Sequence, residues 1–224
     1  MKTKKDFIII NGSKFEFERI SWSTGQDPIN PETAFEALKI VFSILPKYNV
    51  KPYLLWGTLL GAVREHGFIP HDYDLDLGIL QFEVANLEKA IPELYSNDIR
   101  ICKYKKGYIY SFIYKGITCD IDVFRKTMFP YSLGYGVILE EFIPKRFFRS
   151  FEEYSFCGLK TYIPSNPEAL LEYTYGKDWR IPQKGSSGRL TPKWMILERL
   201  YYKIRRKIKY IRCKKFGYED PDFF

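Results

Sequence analysis

Asp72, Asp74 and Asp76 alternate with Tyr73, Leu75 and Leu77 in the run from Pro70 to Gly78. In an extended strand, side chains two apart leave from one face, so this spacing sends three carboxylates one way and three bulky side chains the other. Neighbouring acids on such a face sit about 6 to 7 Å apart at the backbone and repel by about 2 to 3 kcal/mol at an effective dielectric near 20. A cation relieves that repulsion. With oxygen ligands alone, Mg2+ or Mn2+ is the expected ion, because each takes few protein carboxylates and fills its shell with water and substrate phosphate. A solvated strand edge is the plainer reading of the same alternation. Against it stands a second segment, Thr118-Cys119-Asp120-Ile121-Asp122-Val123-Phe124, which offers Asp120 and Asp122 on one face. If the two strands are sheet neighbours, about 4.8 Å apart, Asp120 or Asp122 completes a cluster begun by Asp74 and Asp76. A metal pair held in this way clamps the attacking and leaving oxygens of a phosphoryl displacement.

Upstream, Tyr53-Leu54-Leu55-Trp56 reads as a buried strand that runs directly into Gly57-Thr58-Leu59-Leu60-Gly61-Ala62-Val63-Arg64, a short helix ending near Gly67. A glycine and a hydroxyl at a strand-to-helix turn present backbone N–H groups and a positive helix end to a phosphate. Alone, the same residues are an ordinary turn and cap. Joined to a downstream acid-x-acid strand, Gly57 and Thr58 become candidate phosphate contacts. Arg64 either adds its planar fork to a phosphate or pairs with an acid across the fold.

The run from Trp56 to Gly78, WGTLLGAVREHGFIPHDYDLDLG, resembles without gaps the signature of the LicD-type family, which includes bacterial phosphocholine transferases and the animal proteins fukutin and fukutin-related protein. Asp122-Val123-Phe124 and the stretch Leu171 to Pro182, LEYTYGKDWRIP, resemble later pieces of that pattern, so the resemblance spans about residues 30 to 182. His71 stands where the family usually has Trp, and Tyr73 where it usually has Asp. The resemblance implies an α/β nucleotidyltransferase-like fold, a mixed sheet flanked by helices. It also implies transfer of a phosphorylated alcohol, such as phosphocholine or a polyol phosphate, from a CDP-activated donor to a sugar hydroxyl of a glycan or glycolipid acceptor. Asp74 and Asp76 are then expected to bind metal, and Asp72 to add a ligand or orient the metal's water shell. Asp122 is expected as third ligand or as the base that takes the acceptor proton, with Asp120 its rival. Two other functions stay open, nucleotidyl transfer from an NTP to a small molecule and a non-catalytic binding module that keeps the fold.

The elements that must position these residues follow from pattern and composition. At 224 residues, 46% hydrophobic and 18% aromatic, the chain can bury one good core, so residues 1–182 are expected to form one catalytic domain. Asn30-Pro31-Glu32 is a helix start, and Ala34, Phe35, Leu38, Val41, Phe42 and Leu45 form its apolar stripe up to Pro46. Val84, Leu87, Ile91 and Leu94 mark a second helix that Pro92 is expected to kink or shorten. Strands are expected near 99–104, 108–114 and 117–124, a hairpin around Gly158, and a helix from Asn166 to Gly176. The aromatic segment 127–150 reads equally as an acceptor-side loop or as a core-packing insertion. Residues 183–192 read as a linker or lid.

Beyond that linker, residues 193–224 are expected to carry a basic amphipathic helix. Leu197, Leu200, Tyr201, Ile204, Ile208 and Ile211 form its stripe, and nine Lys/Arg with no acid lie between Arg199 and Lys215. That exceeds the net charge of +8, leaving the rest of the chain at about −1 by subtraction. An anionic membrane surface bound through 193–215 fits this pattern, as does docking on the domain or on another subunit. Nucleic acid fits it less well, since the charge is confined to one terminal segment. The start of the chain lacks a signal-peptide core, and no apolar run reaches the roughly 20 residues of a membrane span. Cys102, Cys119, Cys157 and Cys213 lack C-x-x-C spacing, which disfavours zinc and favours a reducing, cytoplasmic setting, while a membrane-bound 193–215 would place the chain at the inner face of the membrane.

Overall fold

The computed structural model describes residues 4–10, 12–19, 28–126, 134–139 and 141–182, together with 200, 203, 204, 207, 208 and 211. The expected linker 183–192 and most of the expected helix in 193–224 lie outside the described residues.

The central element is a five-stranded mixed sheet in the order β3-β4-β7-β6-β5. Its strands are β3 (Tyr53–Leu54), β4 (Asp74–Leu80), β5 (Arg100–Lys105), β6 (Ile109–Tyr114) and β7 (Ile117–Phe124). Only the β4–β7 pair is parallel; the other neighbours are antiparallel. The helix α1 (Pro31–Ile44) starts where its signals place it, with the Asn30 side chain accepting from Thr33 N at 2.9 Å and Pro31 in the first turn. The helix α3 (Val84–Ser96) runs past Pro92 rather than stopping there. Leu87, Ala90, Ile91 and Leu94 are all buried on one side, and that burial outweighs the proline's lost N–H. Leu75, Leu77 and Ile79 of β4 and Ile121 and Val123 of β7 are fully buried, so the sheet's other face carries the acids.

Three two-stranded hairpins surround the sheet: β1 (Lys4–Ile10) with β2 (Ser13–Arg19), β8 (Tyr135–Ile138) with β9 (Glu141–Pro144), and β10 (Phe151–Phe156) with β11 (Leu159–Pro164). The turn Cys157-Gly158 has positive φ at both positions, 51° and 80°, which matches the twist a two-residue hairpin needs. The described part of the aromatic segment packs inward. Val137, Ile138, Phe142, Ile143, Phe147 and Phe148 are buried. The helix α4 (Pro167–Tyr175) is capped by the Asn166 side chain and ends at Gly176, φ 92°.

Two expectations about the acid strand need correction. The strand starts at Asp74, so Asp72 lies in the turn before it, where its N–H donates to the carbonyl of Ile69 at 3.1 Å. Tyr73 does not face the core; it is 46% exposed, because alternation begins only where the ladder does. Gly78 in the middle of β4 has a packing reason. A Cβ there would lie 2.2 Å from the ring of Tyr53, which is fully buried and stacked on Phe151 at 4.5 Å. Gly78→Ala is therefore expected to lower folding stability by about 2–3 kcal/mol, read as a fall in the denaturant midpoint.

Candidate active site

The register of the parallel pair brings the acids together. Asp76 stands opposite Asp120, and Gly78 opposite Asp122, so both strands project carboxylates from one face. Directly against them is α2 (Trp56–Leu60), entered from β3 through the extended residue Leu55. Three contacts fix Asp76 to this turn. Its carbonyl accepts from Leu55 N at 3.1 Å, its N–H donates to Thr58 Oγ1 at 2.8 Å, and its carboxylate Oδ2 accepts from Gly57 N at 2.9 Å. Asp122 is held from the same turn, its Oδ2 accepting from Trp56 Nε1 at 2.8 Å. Asp72 closes the group: a Cβ on Gly57 would meet Asp72 Oδ2 at 2.6 Å and Asp76 Oδ2 at 3.1 Å.

The electrostatics are those of a site short of positive charge. The Asp76 carboxyl is pushed well above the ordinary carboxylate range, first by burial and then by the charges of Asp74, Asp122, Asp72 and Asp120. Burial also raises Asp72, opposed by the Tyr73 N–H and by His71. Asp120 is raised by burial too, opposed by the Ser111 hydroxyl and Lys103. Asp76 as a residue is only partly buried.

An all-oxygen set of this kind, crowded with like charge, fits a hard divalent cation. Among the described residues no three of the side chains already stand as a finished metal shell. An ion entering would draw Asp74, Asp76 and Asp122 together, with Asp72 beside them. Asp120 stands opposite Ser111 in the β6–β7 register.

The three residues expected at the donor phosphate are engaged within the chain. The Gly57 N–H and the Thr58 hydroxyl both hold Asp76, and Thr58 is only 4% exposed. Arg64 Nε donates to Glu65 Oε1 at 2.6 Å and its Nη1 to the carbonyl of Trp179 at 3.1 Å. A phosphate reaching for any of the three competes with these bonds. Pattern reading missed two neighbours. Trp56 reads there only as an apolar strand end, although indole is the one large apolar ring with an N–H donor. Tyr53 reads likewise, yet its hydroxyl is buried and has no hydrogen-bond partner among the described residues.

Trp56 is also strained. Its φ is +37°, a value that costs an aromatic residue about 1–3 kcal/mol and persists only where surroundings over-determine it. The surroundings do so here, since its indole and the next N–H are each committed to a site carboxylate. The turn continues into a π-type turn, Gly61–Glu65, where a Cβ on Gly61 would lie 2.6 Å from the carbonyl of Gly67.

Residues 49–166 match the domain family described as LicD/FKTN/FKRP, nucleotidyltransferase domain. Among curated proteins, the chain is 31% identical over 148 residues to the uncharacterized protein RP689 of Rickettsia prowazekii, covering 63% of this chain and 53% of that one. It is 26% identical over 155 residues to the mouse ribitol 5-phosphate transferase FKRP, covering 63% of this chain and 31% of FKRP. It is 26% identical over 161 residues to the human ribitol-5-phosphate transferase FKTN, covering 68% and 34%. The chain thus spans about half the length of the rickettsial relative and a third of the animal ones. Among solved structures, the antibiotic-resistance factor ANT(2'')-Ia aligns with a TM-score of 0.46 at 12% identity, over 83% of this chain and 100% of its own. The lincosamide antibiotic adenylyltransferase LnuA aligns with a TM-score of 0.44 at 14% identity, over 73% and 92%. With the match covering more than half of its length, and with the sheet and acid cluster in place, this chain belongs to the LicD/FKTN/FKRP nucleotidyltransferase-domain family.

Proposed function

We propose that this chain is a phosphotransferase that moves a phosphorylated alcohol, phosphocholine or a polyol phosphate, from a CDP-activated donor to a sugar hydroxyl of a cell-surface glycan or its lipid-linked precursor. The observation that carries this reading is the gathering of Asp74 and Asp76 of β4, Asp120 and Asp122 of the parallel strand β7, and Asp72 from the turn before β4. The ribitol phosphate transfer by which FKRP and FKTN are named supports the same reaction class. When bound, Mg2+ or Mn2+ supplies charge neutralisation and alignment for a phosphoryl group, which is most of what such a transfer needs. The chain's own residues do the rest. Asp74, Asp76 and Asp122 would hold the cation, the α2 turn fixes Asp76, and the Asp122 carboxylate would also receive the proton of the acceptor hydroxyl as that oxygen bonds to phosphorus. The bond from phosphorus to CMP breaks, and CMP leaves.

Product analysis tests this directly. Incubation with CDP-choline, CDP-glycerol or CDP-ribitol and an acceptor glycan is expected to release CMP from one donor. Pyrophosphate released from CTP or ATP would instead mark nucleotidyl transfer.

The C-terminal segment supports an anionic membrane surface as the place where a lipid-linked acceptor is met. Leu200, Ile204, Ile208 and Ile211 are helical, spaced along one face, and each about half exposed, with Lys203 and Lys207 exposed beside them. No helix among the described residues is long and apolar enough to cross a membrane. The protein is expected to pellet with vesicles containing phosphatidylglycerol but not with pure phosphatidylcholine, and salt should weaken the binding steeply, at about 1 kcal/mol per basic residue engaged. Ile204→Ser with Ile208→Ser should release it. Equal pelleting of that variant would exclude the stripe as the anchor.

A further inference from the structure

Trp56 and Gly57 are consecutive residues, and each holds one acid of the cluster. The Gly57 N–H reaches Asp76 of β4 at 2.9 Å, and the Trp56 indole N–H reaches Asp122 of β7 at 2.8 Å. One turn of chain therefore spans both parallel strands and sets how their carboxylates face each other. The indole is a donor with no acceptor atom, so it can anchor a carboxylate but cannot take a proton from the acceptor. Its direction depends on the backbone, since at φ +37° the Cα–Cβ bond leaves the turn differently than it would in a helix of ordinary φ. Trp56 is 3% exposed and Asp122 equally buried, so water does not compete for the bond.

We propose that Trp56 is a positioning residue, whose indole N–H fixes the orientation of the Asp122 carboxylate relative to Asp76 and so shapes the divalent-cation site. This rests on the reading of Asp122 as ligand or base. Groups that orient metal ligands typically change metal affinity or activity by about 10- to 100-fold when removed.

The test is a cycle of Trp56→Phe, Asp122→Ala and the double variant, with Mn2+ binding measured by calorimetry and thermal midpoints recorded alongside. Trp56→Phe is expected to weaken Mn2+ binding at least tenfold while lowering the midpoint by only a few degrees. In the Asp122→Ala background the same change should cost less than twofold, because the acceptor it acts through is gone. Should Trp56→Phe fail to fold, β-(3-benzothienyl)alanine at position 56 keeps the ring shape without the N–H and should show the same loss. Wild-type Mn2+ affinity in either replacement, or an equal loss in both backgrounds, overturns the proposal. A flat wild-type titration sinks the metal-site reading itself, and the proposal with it, and is distinguished by appearing before any variant is compared.

Discussion

Asp76→Asn is expected to reduce turnover by at least about a thousandfold while making the metal-free protein more stable at neutral pH. The loss follows from position. Asp76 is the acid on which the other four converge, and it is held at its N–H, its carbonyl and its carboxylate. The asparagine oxygen can still accept from Gly57 N, so the turn should survive; what disappears is the charge. The gain in stability follows from the same crowding, since each like-charge pair in this cluster is worth about 2–3 kcal/mol at an effective dielectric near 20. Its pH dependence has a definite sign. The folded-state pKa of Asp76 is raised above the ordinary 3.8, so the folded metal-free chain holds that proton more tightly than the unfolded one. Stability from this source is fully present below about 3.8 and is lost as pH rises through the raised folded value. Asp72 and Asp120 are raised as well and add in the same direction. Thermal midpoints of wild type and variant in chelator should converge in acid and separate by several degrees near neutrality, and added Mg2+ or Mn2+ should close the gap by raising the wild type.

Gly57→Ala is expected to lower activity about a hundredfold with little change in folding. The new methyl would stand 2.6 Å from Asp72 Oδ2 and 3.1 Å from Asp76 Oδ2, inside contact distance of both. The atoms in its way are the ends of side chains, which can swing, so the backbone need not move. Alanine is moreover the better helix former, by about 1 kcal/mol. The displaced carboxylates carry the cost, because misplacing a reacting constellation by about 1 Å can remove two orders of magnitude in rate. Steady-state kinetics with a matched denaturation curve checks both halves. A variant with wild-type kcat would show that Asp72 and Asp76 need not share that space.

Much of this was legible before the fold. The alternation at Asp74-Leu75-Asp76-Leu77 and at Asp120-Ile121-Asp122 marks strand faces, and the strands β5, β6 and β7 fall within a residue or two of where apolar runs place them. The Asn30-Pro31 and Asn166-Pro167 starts are local chemistry and hold for that reason. What alternation cannot show is which strands are neighbours. That β4 lies parallel to β7, with Asp76 opposite Asp120, is decided by tertiary packing across more than 40 residues of intervening chain. Trp56 was hidden by its own apolarity, since a buried indole and a buried phenyl look alike in a hydrophobic pattern. Tyr73 looked buried only because the strand was carried two residues too far upstream. Arg64, read as meeting a phosphate or an acid across the fold, donates to its neighbour Glu65 and to the Trp179 carbonyl, partners that spacing does not show.

The most direct test of the central claim, a carboxylate-held cation site that recruits an activated alcohol phosphate, is calorimetric titration of the intact protein. CDP-choline, CDP-glycerol, CDP-ribitol, CTP and ATP would each be added with and without Mg2+ or Mn2+, to wild type and to Asp76→Asn. The predicted result is binding of one CDP-alcohol that requires the divalent ion and disappears in Asp76→Asn. Binding that is indifferent to metal, or that survives in Asp76→Asn unchanged, would contradict it.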